Sequence, residues 1–176
     1  MWWKTLIIIL LFYFFAILQN SFFAHFSLFG AVPNLIFILF FLIIFFQKNI
    51  SYYWVIFYSV VSGLFLDIFS YTYFGVSVII LLAIGFLIKK IQLLLKEKKD
   101  EYPLNYFLSL FFGAFISYNL LLLIYLLFFD PTHAVINFGW VFFDGIVYNL
   151  FFAVIGFYIC KKFIKLDINS RQAKLF

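Results

Sequence analysis

Residues 74–90 read FGVSVIILLAIGFLIKK, an uncharged apolar run from Phe74 to Ile88 closed by Lys89 and Lys90. A cationic side chain at the centre of a bilayer costs about 2.5 kcal/mol or more, so the run reads as a membrane crossing and the lysines mark where the chain leaves the lipid. The same pattern recurs along the whole chain. All twelve Lys and Arg residues fall into four short stretches, around Lys4, at Lys48, from Lys89 to Lys99 and from Lys161 to Lys174. If the apolar segments between them make six crossings, every basic stretch lands on one side of the membrane. The positive-inside rule makes that side the cytoplasm, with both termini in it.

Composition excludes the soluble alternatives. Of 176 residues, 68% are hydrophobic, 27% aromatic and only 11% charged, too few polar side chains to cover a globule in water. The expectation is an all-α integral membrane protein with six transmembrane helices in residues 1–160 and a basic cytoplasmic tail in 161–176. The net charge of +5 sits beside the membrane ends. It therefore suits anionic inner-leaflet lipid rather than nucleic acid. Cys160 is the one cysteine, so neither an intrachain disulfide nor a cysteine metal site is available.

The crossings follow from punctuation. Trp2, Trp3 and Lys4 suit an inner interface, and the first apolar run, Thr5 to about Phe23, continues too far for a cleaved signal peptide. His25 to Gly30 reads as a short outer turn, and Pro33 as a residue of the first turn of a second helix ending near Gln47. Lys48 and Asn49 turn the chain, and Tyr52, Tyr53 and Trp54 open a third helix that ends near Phe69. The fourth, from Phe74, extends past the membrane as an amphipathic piece to Lys96, before a charged loop at Glu97 to Glu101. Pro103 opens a fifth helix reaching Phe129. Asp130-Pro131-Thr132-His133 is a turn, and a sixth helix runs from about Val135 to Cys160 and stops at Lys161 and Lys162. The tail beyond either lies on the inner surface or frays.

The polar residues inside these runs are the candidates for function. Ser59, Gly63 and Asp67 share one face of the third helix, placing an acid at the outer end of a seam where another helix approaches closely. Asp67 then shapes the fold or a partner contact, binds a ligand or cation, or caps the turn that follows. In the sixth helix Asn137, Asp144 and Tyr148 share a face, with Gly145, Asn149 and Ala153 beside it. If Asp67 and Asp144 met, like charge would raise at least one pKa. Asn105, Ser109, Gly113 and Ser117 recur every four residues on the fifth helix, a packing stripe before it is a substrate path. His25 and His133 read as solvated loop residues. The chain carries no His-x-x-x-His, Gly-x-Ser-x-Gly or Walker motif, and no cofactor is expected. The many Phe and Tyr residues read as helix surface and interface belts in lipid.

Leu18-Gln19 in the first helix, Gly30-x-x-Pro33-Asn34, Gly63-Leu-Phe-Leu-Asp67 and Phe74-Gly75 together resemble the rod shape-determining MreD family of bacterial inner-membrane proteins. The resemblance covers residues 15 to 85, and later only Tyr148-Asn149 fits the family. It implies a non-enzymatic part of the cell-elongation machinery that binds MreC in the membrane, beside RodA and the class B penicillin-binding protein PBP2, and indirectly MreB filaments. It implies a six-helix fold similar to the substrate-binding S components of energy-coupling-factor transporters. The positions it carries over are Pro33, Asn34, Gly63, Asp67 and Gly75. The alternative function is such an S component itself, holding a vitamin-like molecule near the outer surface.

Overall fold

The computed structural model describes residues 2–27, 30–47, 51–69, 73–94, 103–129, 131 and 140–172. The expected turns at Lys48–Asn49 and Asp130–His133, the loop Glu97 to Glu101 and the face position of Asn137 lie outside the described residues, apart from Pro131. Among the described residues run six long α-helices, α1 Trp2–Ile17, α2 Leu35–Phe46, α3 Tyr52–Phe69, α4 Val76–Leu94, α5 Leu104–Phe129 and α6 Trp140–Gln172, with a π-helical turn, Leu18–Phe23, prolonging α1. Among the described residues five segments are long and apolar enough to cross a membrane, Thr5–Phe23, Tyr52–Phe69, Val76–Leu94, Leu104–Phe129 and Phe142–Phe163. The protein is an all-α, multi-pass membrane protein.

Contacts between helices fix their directions. Asn34 meets Asn149, and Phe46 meets Phe157, so α2 runs parallel to α6. Phe40 lies beside Gly85, and Phe45 bonds Gln92, so α2 runs parallel to α4 as well. Pairing of Phe37 with Phe115, Phe41 with Phe111 and Phe45 with Phe107 sets α5 antiparallel to α2. The bundle thus has one end carrying Asp67 and an opposite, basic end carrying Lys89, Lys90, Lys161 and Lys162.

α2 is the buried axis of this arrangement. Its sequence, LIFILFFLIIFF, is apolar on every side, which is the composition of a helix enclosed by other helices. Ile36, Phe37, Phe40, Phe41, Ile44 and Phe45 are fully buried. Phe37, Phe41 and Phe45, four residues apart, interleave with Phe107, Phe111 and Phe115 on α5 at ring separations of 5.6, 5.1 and 5.0 Å. Edge-on pairs of this kind contribute about 0.5–1.5 kcal/mol each beyond area burial. Much of the phenylalanine expected on the lipid face is therefore core. In lipid, where apolar surface gains nothing by leaving solvent, such shape-matched packing is what holds helices together.

α2 is also shorter than a crossing needs, 12 residues or about 18 Å against a hydrocarbon core of about 30 Å. Its limits are local. Pro33 stands outside the first turn, and Asn34, with φ −86° and ψ 79°, takes the cap position by accepting a hydrogen bond from Phe37 N. Gln47 leaves the helical region in the same way at the other end. Because its neighbours cover it, the short helix meets little lipid.

Three further differences from expectation have physical causes. The first helix widens into the π turn and then continues through His25, whose ring Nδ1–H donates to Ser21 O 2.7 Å away, so the outer turn starts later than His25. α4 begins at Val76 because Gly75, with φ +100°, cannot be its first helical residue. α6 passes Lys161 and Lys162 without stopping and reaches Gln172, since 161–172 contain no Gly or Pro to end it.

Candidate functional site at the Asp67 end of the bundle

Asp67 is buried, and its carboxylate closes the α3–α4 hairpin. One oxygen accepts a hydrogen bond from Gly75 N at 2.6 Å and the other from Ser77 N at 3.0 Å. Gly75 N lies just before α4 and Ser77 N in its first turn, where N–H groups have no partner inside the helix, and an anion there also faces the positive end of the helix dipole. The positive φ of Gly75 is what turns the chain so that both N–H groups point at one carboxylate. Of the readings open in the sequence, the geometry gives Asp67 a cap on the next helix.

A second cap lies beside the first. Asn149, buried on α6, accepts from Asn34 N at 2.8 Å through Oδ1 and donates from Nδ2 to Gly145 O at 2.7 Å. Asn34 in turn caps α2 through its own side chain. The phenol of Tyr118 on α5, itself buried, lies beside the side chains of Ser77 and Asn34 and near the carboxylate of Asp67. The two caps, α3 to α4 and α2 to α6, thus lie on either side of Tyr118 in one polar region at this end of the bundle, and Tyr148 adds a bond of 3.4 Å to Phe26 O beyond the π turn. Asp67 meets Gly75 and Asn34 meets Asn149 here, with Pro33 next in sequence to Asn34. Asp144 does not belong to the cluster's hydrogen bonds: it is partly buried on α6, five residues before Asn149.

The Ser59–Gly63 face is occupied by the chain itself. A Cβ on Gly63 would lie 2.5 Å from Val78 Cα, and one on Gly85 would lie 2.8 Å from a Val55 methyl. Ser59 Oγ bonds Val55 O at 2.8 Å and crosses to Leu81 O on α4 at 3.2 Å. Glycines at these two heights let the α3 and α4 backbones touch. Gly156 performs the same service between α6 and α2, where a Cβ would meet a Leu42 methyl at 2.6 Å.

The α5 stripe is different. Asn105, Ser109 and Gly113 are exposed and Ser117 is partly so. Nothing lies within 4 Å of where a Cβ on Gly113 would stand. Ser109 and Ser117 turn their hydroxyls back to Asn105 O and Gly113 O of their own helix, at 3.0 and 2.8 Å. Such back-bonding satisfies a hydroxyl that has only lipid or another protein beside it. Ser109 and Phe112 also border an open groove of about 620 Å³ whose other wall is Val147, Leu150 and Phe151 of α6.

The basic end holds one residue that charge patterning alone misplaces. Lys89 is 9% exposed, with its ammonium 3.7 Å from the centre of the Tyr52 ring. Gln92, one turn on, donates to Phe45 O at 3.1 Å and ties α4 to the last turn of α2. Lys161 and Lys162 are exposed.

Sequence reasoning misses Tyr118 and Ser77. Among 12 tyrosines nothing in the pattern separates a buried phenol from an interfacial one. The available signal is that Tyr118 follows the stripe residue Ser117 and so faces the bundle when the stripe faces away. Among the described residues no three His, Cys, Asp or Glu side chains gather as a metal site. In comparisons with family models, curated proteins and solved structures, none matches the chain.

Proposed function

We propose that this protein is a non-enzymatic scaffold of the MreD type, in the cytoplasmic membrane of a bacterium with both termini inside, that binds MreC within the bilayer. Through MreC it would help to position RodA and PBP2 along MreB filaments, so that peptidoglycan synthesis follows the cell cylinder. The observation that carries the proposal is that Asn34, Asp67 and Gly75 all serve helix caps at one end of the bundle, Asn34 at the start of α2 and Asp67 with Gly75 at the start of α4. These are the motif positions of the resemblance, they stand far apart in sequence, and each is needed to start a helix. A motif of that kind marks a shared fold, and the resemblance supplies the function.

In this proposal the polar cluster and the Ser59–Gly63 seam build the bundle, and the partner helix packs on the face of α5 that the bundle leaves open at Ser109 and Gly113. Small residues there let a second backbone approach closely. Exposed Lys90, Lys161 and Lys162 face anionic lipid headgroups, each such charge contributing about 1 kcal/mol near the surface.

The test is a gentle-detergent pull-down of the tagged protein from its native membrane, with mass spectrometry of bound proteins and small molecules. Recovery of MreC with wall-synthesis proteins is the expected result. Recovery of an ATPase module with a bound small molecule would replace the scaffold with an energy-coupling-factor S component.

A further inference from the structure

We draw no further inference here: the strongest candidate, the lipid-facing groove between α5 and α6 bordered by Ser109, Phe112, Val147 and Phe151, belongs to the α5 face already proposed as the partner contact, and nothing in its apolar lining distinguishes one occupant from another.

Discussion

Asn149 accepts a hydrogen bond from the backbone N–H of Asn34 at 2.8 Å across 115 residues of sequence, and that bond fixes where α2 starts against α6. Asn149 is 2% exposed, so neither water nor lipid replaces the acceptor once it is removed. Leaving a buried N–H unsatisfied costs about 1–3 kcal/mol. For a chain of this size that corresponds to a fall of about 2–12 °C in Tm. Asn149→Ala should show this loss in detergent, while Ser109→Ala, whose hydroxyl bonds only its own helix, should unfold within experimental error of wild type.

Asp67 is expected to behave as a graded cap. Replacement by Ala removes both acceptors at the start of α4 and should cost about 2–4 kcal/mol. Asp67→Asn keeps one acceptor oxygen and should lose about half as much. Thermal unfolding of the three proteins side by side checks the order, and equal losses for Asn and Ala would mean that the two hydrogen bonds do not hold the hairpin.

Gly75 is required for its backbone alone. No atom lies within 4 Å of the place a Cβ would take, yet φ is +100°. Gly75→Ala should therefore destabilise by about 1–2 kcal/mol, and Gly75→Asn by less, because Asn visits positive φ more readily. A drop for Asn as large as for Ala would place the cost elsewhere than in the turn.

At the basic end, Lys89 and Tyr52 should be coupled. A cation over a partly desolvated ring is worth about 0.5–2 kcal/mol. A double-mutant cycle with Lys89→Met and Tyr52→Leu, read by unfolding in detergent, should return a coupling of that size, and strictly additive losses would remove the contact from the stability of the fold.

What the sequence made legible was what lipid enforces on every residue alike. Charges leave hydrocarbon, so the long apolar segments could be placed between the lysines, and helix-breaking residues such as Pro103 marked starts. What it hid depends on particular neighbours. The shortness of α2 is set by Asn34 and Gln47 at the two ends of an apolar run, where hydropathy changes little. The π turn at Leu18–Phe23 contains no Gly or Pro to announce it. The caps are half visible: Asp67 stands out as an acid expensive in lipid, Asn34 through the resemblance and Asn149 beside the Asp144 face, but the backbone N–H groups that Asp67 and Asn149 meet lie at the starts of other helices, and only the three-dimensional packing pairs them. Lys89 shows the same limit in reverse, a lysine that charge alone assigns to water and that the Tyr52 ring holds inside.

On the proposed function the chain itself closes the Gly63 face and MreC packs on the open Gly113 face, so the decisive measurement is the MreC recovered with tagged wild-type, Gly63→Leu and Gly113→Leu proteins, each first checked for a monodisperse, cooperatively unfolding species. Gly113→Leu should fold like wild type and lose most of its MreC. Gly63→Leu should fail at the folding check, since its side chain would enter the Val78 backbone. Wild-type recovery of MreC by a well-folded Gly113→Leu would contradict the account and move the partner contact to another face of the bundle.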